Sequence, residues 1–147
     1  MKVELIISDE FLEESATLKS NKLSENIQKA VNFLENLDKR DVIAVKKDDK
    51  TLFLNFDEIY MIKTEEGKMK VYSENKVFTT KKRLYELENI LDDSFIRISK
   101  SAIVNINKID YIAPSLKGMM FINLKNGLKD NISRNYLQNF KHRLGMK

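Results

Sequence analysis

The chain has 147 residues with 26 Lys/Arg, 22 Asp/Glu, one His and no Cys, for a formal net charge of +4. That length suits one compact domain with a small extension, able to bury roughly 70% of its unfolded surface without a disulfide or metal staple. The lack of cysteine excludes thiol nucleophiles, thiolate metal sites and disulfides, and no apolar run approaches the ~20 residues of a membrane helix.

No signal-peptide pattern leads the sequence, so a soluble, cytoplasmic protein is expected. "MKVELIIS" has the composition of a short strand. "LSENIQKAVNFLENLDK" then carries Leu23, Ile27, Ala30, Val31, Leu34 and Leu37 at helical spacing, with Ser24 as N-cap. One strand and one amphipathic helix cannot close a core. Residues 1–41 are therefore expected to be an extension that docks on the rest of the chain or on another molecule.

From residue 42 the text changes to short β-like runs. "VIAVKKDDKTLFLNF" reads as two strands about a turn at Lys47–Lys50. "EIYMIKTEEGKMKVYSENKVFTT" reads as three more, broken at Glu65–Gly67 and Ser73–Asn75. A short helix at "KKRLYELENILDD" sets Leu84, Leu87, Ile90 and Leu91 on one side. The run "FIRISKSAIVNINKI" follows, apolar except for the group Ser99-Lys100-Ser101 and Arg97 just before it. "IDYIAP" is a strand that Pro114 ends or places at an edge, where a missing N–H is harmless. After a turn at Lys117-Gly118, "MMFINLKNGLKDNIS" reads as a hairpin. Asn126-Gly127 is expected to form a two-residue type I′ turn with φ > 0 at both residues. In the closing helix Leu137, Phe140 and Leu144 form an apolar stripe, with Ser133 as N-cap and Gly145 as stop. The expected fold class is mainly β: small antiparallel sheets with short helices, one of them C-terminal, after an N-terminal extension. Strands that never alternate regularly with helices argue against a doubly wound parallel sheet.

Charge divides unevenly. Residues 1–93 hold 16 Lys/Arg against 20 Asp/Glu, a net of −4. Residues 94–147 hold 10 Lys/Arg against only Asp110 and Asp130, a net of +8. A basic third on a mildly acidic remainder is the footprint of polyanion binding. Catalysis has no comparable signal. His142 sits between Lys141 and Arg143, opposite the apolar stripe and without an acidic neighbour. Phosphate loops, paired-His metal spacings and nucleophile elbows are missing. No catalytic residue, metal or cofactor is expected.

Two basic sites remain. Arg134 occupies the first turn of the last helix, where a cation opposes the helix dipole by about 0.3–1 kcal/mol. An arginine beside the free N–H groups of a helix start suits a phosphate or a guanine edge. Ser99-Lys100-Ser101 sets a lysine between two hydroxyls in a bend that flanking strands hold. A solvated helix start and a plain loop are the bland readings of these sites, but both belong to the basic third.

"FIRISKSAIVNINKIDYI" followed by "LKNGLKDNISRNYLQNFKHRL" resembles the LytTR DNA-binding domain of bacterial transcription regulators. The family pattern is matched by Phe95, Arg97, Lys100-Ser101, Ile103-Val104 and Asn105. Asn126-Gly127 and Ser133-Arg134 match its C-terminal signature, and "FDEIYMIKTEEGKMKVY" its early strands. The resemblance covers residues 42–147. It implies sequence-specific binding of double-stranded DNA by loops of a β scaffold, without a helix-turn-helix. Carried over by position, the DNA-binding residues are Lys68 beside Gly67, then Arg97, Ser99, Lys100 and Ser101, then Arg134 and Asn135. Some members have histidine where this chain has Gly67-Lys68 and asparagine where it has Lys100; lysine favours guanine acceptors, asparagine adenine. The resemblance also implies a stand-alone regulator without a receiver domain, an inhibitory membrane protein as partner, and a homodimer on repeated half-sites. The competing expectation is an interaction module on the same scaffold that sequesters a protein and binds DNA weakly.

Overall fold

The run from Phe95 to Asn105 forms two strands at one edge of a seven-stranded antiparallel sheet in the computed structural model, which describes residues 1–37 and 41–146. The chain divides into two units, residues 1–40 and 41–147.

In the first unit α1 (Glu25–Glu35) is capped as the sequence predicts: the Ser24 hydroxyl accepts from the Ile27 N–H at 3.2 Å. Residues 38 and 39 of the predicted helix lie outside the described residues. No residue of α1 is buried. The strand expected over Met1–Ser8 is not formed, and Leu5 and Ile7 are more than 80% exposed. Strand composition is insufficient by itself, because a strand needs a neighbour for its N–H and C=O groups. Neither sheet of the described residues includes this segment.

The second unit runs β1 (Val42–Lys47), β2 (Lys50–Asn55), β3 (Met61–Glu65), β4 (Lys68–Tyr72), β5 (Val77–Thr80), α2 (Leu84–Ile90), β6 (Phe95–Ser99) and β7 (Ala102–Asn105). Then come β8 (Ile109–Pro114), β9 (Met120–Leu124), β10 (Lys129–Ile132) and α3 (Arg134–Arg143). The large sheet has the order β2-β1-β5-β4-β3-β7-β6, the small one β10-β9-β8. This is the mainly β architecture that the sequence predicts. Pro114 closes β8, an edge strand.

Strands β3, β6 and β7 feed two cores. Ile62, Ile103 and Phe95 pack with Leu84, Leu87 and Leu91 around α2. Met61, Val104, Ala102, Ile96 and Ile98 pack with Ile122, Leu124 and Ile132 of the small sheet and with Phe140 of α3. Every residue of β7 is buried. A strand covered on both faces reads as a continuous apolar run rather than an alternating one, which accounts for "AIVN".

Turn chemistry departs from expectation in one place. Both residues take positive φ in the two-residue turns Asp48-Asp49 (51° and 64°) and Glu66-Gly67 (52° and 75°). At the predicted type I′ site only Gly127 does, at 89°. The Gly127 N–H instead donates to the Leu124 carbonyl at 2.9 Å, a type I turn followed by a left-handed glycine. Asn126 is held by tertiary bonds: its Nδ2 donates to the Ser73 and Glu74 carbonyls at 3.1 and 3.2 Å. These bonds stitch the β9–β10 turn to the β4–β5 turn.

Asn105 is 1% exposed, and its side chain works inside the core. Nδ2 donates to the Ile59 carbonyl at 2.9 Å, and Oδ1 accepts from the Asn107 N–H at 3.0 Å. We expect Asn105→Ala to strand both backbone groups and cost about 1–3 kcal/mol. A urea titration should show the midpoint falling with the slope unchanged; an unmoved midpoint contradicts this role.

Candidate nucleic-acid interface

Two hairpin turns and the start of α3 meet at one end of the large sheet. Lys63 of β3 stands opposite Ala102 of β7, and the Thr64 N–H donates to the Ser101 carbonyl at 2.8 Å. The Lys100-Ser101 turn is therefore level with the end of β3. The Glu66-Gly67 turn, which leads into Lys68, runs two residues further, ~7 Å. On the other flank the Ser133 N–H donates to the Ile98 carbonyl at 2.9 Å. That bond starts α3 beside β6, two residues before Lys100. From β4 to β6 the order is Lys68, Lys100, Arg134. The row spans three strand spacings, ~14 Å, plus the helix.

α3 is seated at both ends. Arg143 Nη1 donates to the Phe95 carbonyl at 3.0 Å and Nη2 to the Asp93 carbonyl at 2.5 Å, with Phe140 fully buried between. Gly145, at φ 66°, stops the helix as predicted, and the Met146 N–H closes on the Lys141 carbonyl at 2.8 Å. Ser133 occupies the N-cap position, but its hydroxyl makes no capping bond, in contrast to the sequence expectation. Its backbone N–H is committed to β6 instead, and the first-turn amides of Arg134 and Asn135 lack a side-chain cap.

Each candidate residue has a distinct setting. Lys68, Lys100, Arg134 and Asn135 are exposed, whereas Arg97, Ser99 and Ser101 are half-buried. Ser99 and Ser101 bond within the turn: their hydroxyls are 3.2 Å apart, and the Ser101 N–H donates to Ser99 Oγ at 3.2 Å. Arg97 is turned inward. Its Nε donates to the Ser99 carbonyl at 2.8 Å, Nη2 to the Lys100 carbonyl at 2.6 Å, and Nη1 meets the Glu88 carboxylate. A register shift between Arg97 and Ser99 marks a bulge in β6, the usual means of re-aiming a strand end. Arg134 donates through Nε (2.9 Å) and Nη2 to the carbonyl of Lys117, which has φ 61° in the β8–β9 loop. Its Nη1 makes no hydrogen bond among the described residues.

Three cations of the large sheet are neutralised by internal ion pairs. Lys63 pairs with Asp130 at 3.0 Å, Lys70 with Glu65 at 3.7 Å, and Arg97 with Glu88. Among the described residues Lys68, Lys100 and Arg134 have no carboxylate partner. Sequence reasoning assigned no functional role to Glu88, Lys117 or Tyr136. Glu88 lies nine residues from Arg97 on a helix face that reads as plain solvent surface, and Lys117 acts through its carbonyl, which carries no side-chain signal. His142 is exposed. No cluster of three His, Cys, Asp or Glu able to hold a metal occurs among the described residues, and no helix among them is long and apolar enough to cross a membrane.

Residues 49–145 match the family model described as the LytTr DNA-binding domain. The chain is 31% identical over 146 residues to proteins named uncharacterized HTH-type transcriptional regulators from Staphylococcus aureus strains NCTC 8325 / PS 47 and COL, covering 99% of each chain. Among solved structures it resembles the LytTr DNA-binding domain of a methyl-accepting/DNA response regulator from Bacillus cereus, with a TM-score of 0.69 and 31% identity. That likeness covers 72% of this chain and 98% of the other. In the second unit α2 and α3 are separated by five strands, so they form no helix-turn-helix pair.

One titration concerns the β3–β4 hairpin. Burial pushes the Tyr72 phenol up to about 12, helped by its hydrogen bond to Glu65 and by that carboxylate's charge. An unfolded phenol titrates near ~10. A raised folded value means that this group stabilises the fold below ~10 and loses that contribution as pH rises through about 12. Near-ultraviolet phenolate absorbance should show a late step that Tyr72→Phe removes. A titration that the substitution leaves unchanged contradicts the assignment.

Proposed function

The chain belongs to the LytTR DNA-binding domain family, and from that premise we propose that it is a bacterial transcriptional regulator that binds double-stranded DNA sequence-specifically through Lys68, Lys100 and Arg134. The observation that supports the reading is the exposed row of these three cations at one end of a rigid sheet, each without an internal carboxylate. Lys68 leads from the Glu66-Gly67 turn, Lys100 tops a turn two strands away, and Arg134 opens a helix bonded to β6. A row of this length matches about half the ~34–36 Å turn of a duplex, the distance between neighbouring grooves on one face. Lys100 and Arg134 suit guanine acceptors in the major groove. Ser99, Ser101 and Asn135 supply phosphate or base-edge hydrogen bonds beside them, and Arg97 acts from behind the turn.

A regulator of bacterial genes works in the cytoplasm, and we place the protein there. No role in this reading calls for a cofactor or a catalytic group. The homodimer on repeated half-sites and the inhibitory membrane protein are part of the same proposal. The exposed apolar side chains of α1 and its flanks, Leu23, Phe33 and Leu37, are the surface assigned to such protein contacts.

Selection of bound duplexes from a random pool, followed by titration against selected and random DNA, tests the reading. Arg134→Ala should cost about 1–3 kcal/mol on the selected site and relax preference at one base pair. Lys68→Gln, if its contact is to phosphate, should weaken both duplexes alike and flatten the salt slope by about one unit. A wild-type protein that binds random and selected duplexes equally is the result that favours the interaction-module alternative.

A further inference from the structure

Arg97 has a guanidinium whose every nitrogen is committed inside the protein. Nε and Nη2 grip the successive carbonyls of Ser99 and Lys100, Nη1 meets Glu88 of α2, and Cζ lies 5.9 Å from the ring centroid of Tyr136 in α3. One planar group thus touches α2, the Lys100 turn and the helix that begins with Arg134. A planar fork fixes two acceptors relative to each other, which the point charge of a lysine cannot do. With both carbonyls drawn toward the guanidinium, the Lys100 side chain is left on the exposed side of the turn. Cation–π contact with Tyr136 makes the same group a spacer between turn and helix.

Glu88 completes the arrangement. Its side chain is 42% exposed, so the pair is a partly solvated bridge and contributes little fold stability by itself. It has two other consequences. It cancels the Arg97 charge at the rim of a basic face, and it keeps the guanidinium from leaving the turn for a phosphate. We infer that Glu88 and Arg97 are positioning residues for specificity: the pair sets the Lys100 turn in register with Arg134 and withholds one cation from indiscriminate phosphate binding. The inference rests on the DNA-binding reading above and adds to it a residue on α2, remote in sequence from both candidate contacts.

Two near-isosteric variants separate positioning from plain charge. Arg97→Lys keeps the charge and loses the fork; Glu88→Gln keeps the shape and frees the charge. Both are compared with wild type on a selected and a random duplex across a salt series, with circular dichroism as the check on folding. For Arg97→Lys the ratio of selected to random affinity should fall by about 5- to 150-fold, the discrimination of one well-placed base contact, with the random-duplex salt slope unchanged. For Glu88→Gln the ratio should fall while random-duplex affinity rises and the salt slope steepens by up to about one unit. In the DNA-free protein, the backbone amide signals of Lys100 and Ser101 and the ring signals of Tyr136 should shift in both variants. A selected-to-random ratio kept at the wild-type value in Arg97→Lys overturns the inference, as do unmoved amide signals in both variants. If wild type itself shows no preference for the selected duplex, the DNA-binding reading fails and the specificity role falls with it. The amide shifts would still report whether Glu88 and Arg97 hold the turn.

Discussion

The backbone bond from the Ser133 N–H to the Ile98 carbonyl is the constraint on which the candidate interface depends. β6 is an edge strand, and an edge leaves one row of N–H and C=O groups unpaired. Here part of that row is used by a helix start rather than by another strand. Because α3 is also tied by Arg143 to the other end of β6 and buries Phe140 between, it cannot slide along the strand. The start of α3 is consequently fixed beside the end of β6 by a backbone bond, and Arg143 and Phe140 hold the helix along the strand. Sites carried on such braced elements hold their groups more tightly than sites on free loops.

The electrostatic pattern follows from the same economy of placement. The C-terminal third has ten basic residues and two acidic ones, yet its fold does not present all of that charge. Asp130, one of the two acids, pairs with Lys63 from the acidic part of the chain, and Glu88 from that part pairs with Arg97. Of the ten cations, Arg97 is the one that an ion pair neutralises among the described residues.

The N-terminal unit shows the limit of local signals. Ser24 caps α1 as its spacing predicts, since a cap is decided within four residues. "MKVELIIS" does not become a strand, since strand pairing is decided elsewhere in a molecule. Asn126-Gly127 makes the same point: the dipeptide favours a left-handed pair, but the bonds from Asn126 to Ser73 and Glu74 select a different turn.

By itself the sequence determined the β-strand succession from Val42 to Ile132, the three helices, the glycine stop at Gly145 and the uneven charge, and it singled out Lys100 and Arg134 as candidates. Each of these is written in neighbouring residues, as periodicity, turn chemistry or composition. Only the tertiary structure decided that Arg97 points inward, that Glu88 and Tyr136 are its partners, that Arg134 is bonded to the Lys117 carbonyl, and that Asn105 is a core anchor. Those roles depend on partners 9 to 46 residues away, or on backbone carbonyls that every residue possesses, and a linear pattern carries no trace of either.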